Sequence, residues 1–326
     1  MRRRSFICAG VCAMAAVATI AARSGMRRHS GAALAFGTTI NITLMHDDAR
    51  QAQLAIEDAL SAAQSVDRLM SIYNPASQVY QLNRDGVLAR PHPHLLAVLA
   101  QARELSRLSD GAFDVTVQPL WQTFSAAAQQ SALPSDQQRQ SAQGRVDWRQ
   151  LDFDSRQARL RVAGMAITLN GLAQGYAADL ALAAVQARGV RHALIDAGEF
   201  VARGRRRGAD PWTLGVRDPR EADALAATLY IDGCGVATSG DYEAAFTPDF
   251  AHHHIFDPAL GDSPTELASV TVLAPNGMLA DGLSTAFMVM GRDRARAMAA
   301  QLPGVDLMTI DKQGGVWRSA TFPPTA

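Results

Sequence analysis

A chain of 326 residues, 48% hydrophobic and 19% charged, is long enough for one large domain or two small ones with a substantial core. Basic and acidic residues balance at 31 each, but residues 1–35 hold six arginines and no acid, so residues 36–326 carry 25 basic against 31 acidic side chains. That net −6 argues against a nucleic-acid or anionic-lipid partner, and one cysteine (Cys234) and one lysine (Lys312) in the same span leave no pair for a disulfide or Cys-rich zinc site and little room for Schiff-base or Walker-type lysine chemistry.

The chain opens "MRRRSFICAGVCAMAAVATIAARSG", a basic start followed by an Ala-rich apolar run from Phe6 to Ala22 and further arginines. The run is short and mild for a membrane span and suits an export signal. Arg3-Arg4-Ser5-Phe6-Ile7 resembles the twin-arginine signature, which predicts export to the periplasm. A plain secretory signal or an uncleaved membrane anchor is the alternative. Residues 1–35 are therefore expected to be signal and leader, and residues 36–326 the functional domain.

Beyond the leader, β-branched alternation predicts a strand over 37–44, and Leu54, Ala59, Leu60, Ala63, Val66 and Leu69 predict a helix over 47–69 that Asn74-Pro75 breaks. A second helix is expected over 94–108, and "FDVTVQPLWQTF" leads into another. Residues 125–144, rich in Gln, Ser and Ala, are expected to be an exposed loop or short helix without a site. Strands are expected near 148–153, 158–162 and 166–170, then a helix over 172–188 and strands over 192–198, 212–217, 225–231 and 268–274. A helix from about residue 280, a last helix over 293–302 and two strands finish the chain. Runs of strands interrupted by a few long helices predict an α+β fold, not a regular parallel βαβ wind.

Several short segments carry chemistry. "ADGLSTAFMVMG" (280–291) places Asp281 and Thr285 four apart, on one helix face, ahead of an apolar run that belongs in a core. Two roles are open for the pair. Asp281 can cap the helix N-terminus while Thr285 bonds back to a carbonyl. Alternatively, carboxylate and hydroxyl together hold Mg²⁺, which takes carboxylates, neutral oxygens and substrate phosphate. "ITLNGLAQGYAADLALAAV" (167–185) runs from a strand into a helix through Asn170-Gly171. Its glycines at 171 and 175 either admit a ligand close to the backbone or only serve the turn. "LIDAGEFVARG" ends a strand beside Glu199, and "ATSGDYEAAF" crowds Thr238, Ser239, Gly240 and Asp241 into an expected turn. In "HHHIFDPALGD" three adjacent histidines on an extended segment point alternately, so at most two face one site.

Read in order, "MSIYNPASQVYQLNR", "DGAFDVTVQPLW", "LNGLAQGYAADLA", "LIDAGEFVARG", "ATSGDYEAAF", "HHHIFDPALG" and "ADGLSTAFMVMG" resemble the FAD:protein FMN transferases of the ApbE family, over nearly all of residues 37–321. The resemblance implies a single α+β, T-fold-like catalytic domain and a Mg²⁺-dependent reaction. FMN from FAD is joined through its phosphate to a threonine or serine of an acceptor flavoprotein, and AMP is released. The acceptor could be a membrane-bound electron-transfer subunit. The resemblance also implies that Asp281, Thr285 and the Gly171 carbonyl hold Mg²⁺, and that Met70, Tyr73, Ala112, Phe113, Asp114 and Phe256 line the FAD pocket. Thr238, Ser239 and Asp241 are expected to reach or buttress the phosphates. His254 is the candidate base, with His253 in reserve.

The chain departs from the commonest pattern near the cofactor, with Thr168 and Gln174 where an aspartate and a lysine are usual, and Ala197-Gly198-Glu199 in place of Gly-Gly-Asp. Two missing charges are expected to lower affinity for FAD or metal without abolishing activity. The Asn-Gly-Leu-Ala-Gln-Gly version, with its twin-arginine-like signal, looks like the subgroup that accompanies nitrous oxide reduction. Two rival functions share these residues: a Mg²⁺-dependent FAD pyrophosphatase, with water in place of the protein hydroxyl, and a non-enzymatic periplasmic flavin-binding or assembly protein. Replacing Arg3 and Arg4 with lysine is expected to hold the protein in the cytoplasm, as followed by fractionation. Undiminished periplasmic delivery would exclude the twin-arginine route.

Overall fold

An eight-stranded antiparallel sheet runs through the middle of the molecule, in a computed structural model that describes residues 25–206, 208 and 210–323. The expected export signal falls almost wholly outside the described residues. In chain order the first elements are β1 (Arg27–Ala35), β2 (Thr38–His46), α1 (Ala49–Met70), α2 (Gln78–Asp85), β3 (Val87–Ala89) and α3 (Pro93–Leu108). Then come α4 (Gln118–Ala128), α5 (Asp136–Gln143), β4 (Leu151–Phe153), β5 (Gln157–Leu160), α6 (Asn170–Ala187), β6 (Ala193–Asp196) and β7 (Phe200–Arg203). The chain closes with β8 (Trp212–Arg217), β9 (Leu225–Ile231), β10 (Cys234–Gly240), β11 (Leu267–Ala274), α7 (Gly277–Met290), α8 (Arg292–Ala299), β12 (Asp306–Asp311) and β13 (Val316–Arg318). The main sheet has the order β1-β2-β6-β7-β10-β11-β12-β13, while β3-β5-β4 and β8-β9 form smaller sheets.

The sheet is covered on both faces. Ile40, Ile42 and Leu44 of β2 and Val270, Val272 and Ala274 of β11 point toward α1, α6 and α7, where the largest core lies. Met45 and Leu273, one residue out of phase, face the β8–β9 hairpin and pack with Trp212, Leu214 and Leu229. All eight residues of β11 are buried, as two covered faces require.

Three expectations need correction. Residues 27–35 are not leader but β1, paired antiparallel with β2 along its whole length, so the folded chain begins before residue 36. Residues 166–170 are not a strand. The Asn83 side chain bonds both the N–H and the carbonyl of Ile167, at 2.7 and 2.8 Å, and takes the place of a ladder partner. Thr238 and Ser239 do not lie in a turn but in β10, opposite Thr271 and Val270 of β11.

The contact that positions everything around the site is between α6 and α7. Asp179 of α6 accepts from the Gly277 and Met278 N–H groups, the first of α7, at 2.7 and 2.9 Å. Asp281 of α7 accepts in return from the Gly175 N–H of α6 at 3.0 Å. The helices touch at glycine: a Cβ on Gly175 would lie 2.2 Å from the Gly277 carbonyl oxygen, and one on Gly277 would lie 2.6 Å from that of Gly175. The partly buried Asp179 satisfies orphan N–H groups at the start of α7, and the buried Asp281 carboxylate is satisfied in turn by the Gly175 N–H.

The long segment between β10 and β11 is anchored at Asp241 and His253 among other points. Asp241, fully buried, takes a bidentate pair from Arg220 at 2.8 Å and the Lys312 ammonium at 3.1 Å. His253, also fully buried, is bonded to the Pro264 carbonyl through Nε2. Burial pushes the His253 imidazole down from 6.5 to about 4.

Two outcomes follow for stability. Gly175→Ala drives a methyl into the Gly277 backbone, which cannot rotate away, and is expected to cost about 1–3 kcal/mol in chemical denaturation. A variant as stable as the parent would show that the two helices can part freely. Because His253 binds its proton more readily when unfolded, stability is full above pH 6.5 and falls as pH drops toward about 4. His253→Gln should flatten the thermal-midpoint profile across that window, and an unchanged slope would acquit this residue.

Candidate active site

A cleft of about 590 Å³ opens where the N-terminal end of α6, the middle of α7, the end of β10 and the segment 254–256 converge. Its floor is polar and its mouth is aromatic. Tyr73 stands exposed at the rim, edge-on to Trp121 with ring centroids 6.3 Å apart. Phe113 and Phe256 form apolar wall, the latter packed on Phe124 at 5.1 Å. Ala112 and Asp114 follow from the turn that precedes α4.

Asp281 is not a helix cap. Asn276 is the N-cap of α7, its side chain accepting from the Leu279 N–H, and Asp281 sits a full turn inside the helix. Its carboxylate is buried, with Oδ2 on the Gly175 N–H. Thr285 lies one turn further along the same face and its hydroxyl is 3.4 Å from that of Ser239. Gly171 packs directly against it, since a Cβ there would lie 2.9 Å from Thr285 Oγ1. Only glycine lets the backbone of α6 come this close.

Two acids of the cleft floor have no cationic partner among the described residues. Burial pushes Asp281 up to about 7 despite the Gly175 N–H. Glu199, at the cleft wall, is raised well above its ordinary value by burial and then by Asp281 beside it. Its Oε2 accepts from the Thr238 N–H at 3.2 Å. A carboxylate, a hydroxyl and a neighbouring backbone carbonyl match what a hard divalent cation takes, and a bound cation would relieve the repulsion. No three His, Cys, Asp or Glu side chains gather as a metal site among the described residues.

His254 lies in the cleft wall, its Nδ1 buried without a hydrogen-bond partner. Burial lowers its basicity, which keeps the ring neutral and able to accept a proton. Asp114 turns inward, accepting from the Thr116 N–H and hydroxyl and the Trp148 N–H, and burial raises it to about 6. Thr168, Gln174, Thr238 and Ser239 all reach the cleft.

Three expected site residues do not reach it. Met70 belongs to the core beneath α1, 2% exposed. Asp241 stands behind the wall in its ion triad, a buttress of the His254 segment outside the cleft lining. His253 points away from its neighbour into the interior, as alternation along an extended segment demands, so it cannot serve as a reserve base.

Conversely, Trp121, Glu199, Arg217 and Glu243 line the cleft but were not assigned from sequence. Trp121 closes a motif already singled out, and Glu199 and Glu243 lie inside two others. Arg217 carries no local signal, because only the β8–β9 hairpin brings it there.

Comparison with known proteins accords with this geometry. The ApbE family model matches residues 36–309. An FAD:protein FMN transferase of Treponema pallidum is 28% identical over 92% of this chain and 89% of its own, and that of Haemophilus influenzae is 30% identical over 81% of each. Among solved structures, the ApbE protein of Thermotoga maritima superposes with a TM-score of 0.81 at 28% identity, over 90% of this chain and 98% of that one. The apo form of the Pseudomonas stutzeri flavinyl transferase ApbE gives 0.78 at 26% identity, over 91% and 96%. With its architecture shared along nine-tenths of its length and its motifs matched from residue 36 to residue 309, this protein belongs to the ApbE family.

Proposed function

We propose that the protein is a Mg²⁺-dependent FAD:protein FMN transferase that acts on a periplasmic acceptor flavoprotein. The observation that carries this is the unpaired acid floor beside Thr285 and the neutral His254, in a cleft wide enough for a flavin nucleotide. Mg²⁺, held by Asp281, Thr285 and the Gly171 carbonyl, would supply charge neutralisation at the diphosphate.

The chain's own residues then do three things. Tyr73, Trp121, Phe113 and Phe256 exclude water and give planar rings a surface to lie on. Serine and threonine hydroxyls of β10 and α7, with Ser239 bonded to Ser284 at 2.8 Å, line the floor without adding negative charge. His254 takes the proton of the acceptor hydroxyl. A bond forms between that oxygen and the FMN-side phosphorus, the bridging P–O bond breaks, and the bridging oxygen leaves with AMP.

The assay is purified protein with FAD, Mg²⁺ and a candidate acceptor, read by in-gel flavin fluorescence and acceptor mass. FAD split to free FMN and AMP with no label on any acceptor would favour the pyrophosphatase. FAD bound without turnover in Mg²⁺ would favour a flavin-binding role. Asp281→Asn still accepts from the Gly175 N–H, so the fold should hold while transfer collapses or demands far more Mg²⁺. Thr285→Val should do the same more mildly. His254→Ala should leave FAD binding nearly intact and lower the transfer rate roughly 10²–10⁴-fold. Wild-type Mg²⁺ dependence in Asp281→Asn, with an unchanged melting temperature, would remove the metal assignment.

A further inference from the structure

The cleft has an electrostatic problem that its acids create. Four carboxylates line it (Asp114, Glu199, Glu243 and Asp281), against one arginine and no lysine among the described residues. A substrate bearing a diphosphate brings two more negative charges. Of the chain's nearby cations, Lys312 and Arg220 are both committed to Asp241 behind the wall. Arg217 is the one left facing the cleft.

Its placement is built into the backbone. Strand β8 alternates buried Trp212, Leu214 and Val216 with outward Thr213, Gly215 and Arg217. At Val216/Arg217 the register with β9 shifts, so that Arg217 falls opposite Leu225. An irregularity of this kind re-aims the side chain that follows it. Among the described residues the ion pair of this guanidinium is with Glu243 Oε1, at 4.0 Å, and both side chains are more than half exposed, 60% and 54%. So loose a surface pair contributes little and exchanges easily for a better partner. A phosphate is such a partner, since guanidinium and phosphate oxygens match in a bidentate, charge-assisted arrangement.

We infer that Arg217 is the cation that this cleft presents to the diphosphate of its flavin nucleotide, exchanging its loose contact with Glu243 for the phosphate when substrate arrives. The inference rests on the FAD reading above. It assigns the positive charge to the hairpin on the far face of the sheet, while the helix pair that holds Asp281 lines the cleft with the neutral Asn170, Gln174 and Thr285.

The test is FAD affinity by flavin fluorescence at several salt concentrations, for wild type, Arg217→Gln, Arg217→Lys and Glu243→Gln, with thermal melting alongside. Arg217→Gln is expected to weaken FAD binding about ten- to a hundredfold and to flatten its salt dependence, with the melting temperature unchanged. Arg217→Lys should recover part of the loss, and Glu243→Gln should bind FAD as tightly as wild type or tighter. The assignment is overturned if Arg217→Gln binds FAD like wild type, or loses affinity with its salt dependence intact. It is also overturned if Glu243→Gln loses as much as Arg217→Gln, because the pair itself would then be the structural element. Wild-type protein that binds no FAD would bring down the flavin reading and this inference together, whereas FAD binding that ignores Arg217 would bring down this inference alone.

Discussion

Asp179 and Asp281 cross between two helices in opposite directions, each taking backbone N–H groups of the other's helix. This exchange works only because Gly175 and Gly277 let the backbones touch, and side chains at either position would force the helices apart. The consequences reach through the site. Asp281 is held a turn inside α7 with one oxygen bonded, Thr285 follows on the same face, and Gly171 is pressed against Thr285 from the start of α6. The sheet then adds β10, whose Ser239 meets both Ser284 and Thr285. One helix–helix contact thus sets the spacing of a carboxylate, three hydroxyls and a backbone turn.

That arrangement is costly as it stands. Burial raises both Asp281 and Glu199 because charged carboxylates lose hydration, and like charge adds to it, Asp281 acting on Glu199 and Asp179 on Asp281. A divalent cation bound there would relieve that repulsion, and a neutral ligand would not. Basic groups are kept out of the floor altogether. Arg220 and Lys312 neutralise Asp241 behind the wall and so anchor the segment that carries His254, while Arg217 stands at the mouth. In the proposed function the acids at depth would hold the metal, and Arg217 would receive the anion.

Much of the fold was legible from residue patterns. The long helices α1 and α3 repeat apolar residues along one face, α6 is an unbroken Ala- and Leu-rich run, and the β8–β9 hairpin alternates cleanly, so their limits fall within a few residues of expectation. The failures share a cause. β1 was hidden because its Gly- and Ala-rich sequence follows arginines and resembles a leader, and only pairing with β2 makes it a strand. Residues 166–170 have strand-like composition but are satisfied by the Asn83 amide, a partner 84 positions away. Thr238-Ser239-Gly240 look like a turn and lie in a central strand, because their backbones pair with β11.

For the site, the sequence by itself determined which groups are present and in what order: the Asp281–Thr285 pair, the glycine turn, the histidine run and the aromatic motifs, enough to name the ApbE family. Helical and extended periodicities are local, so it also determined that Asp281 and Thr285 share a face and that His253 and His254 do not. Tertiary structure decided what periodicity cannot reach. It chose His254 over His253, sent Asp241 and Met70 behind the wall, and brought Glu199 and Arg217 into it. These outcomes depend on burial and on charges far apart along the chain, and both come into being only when the sheet closes and its two faces are covered.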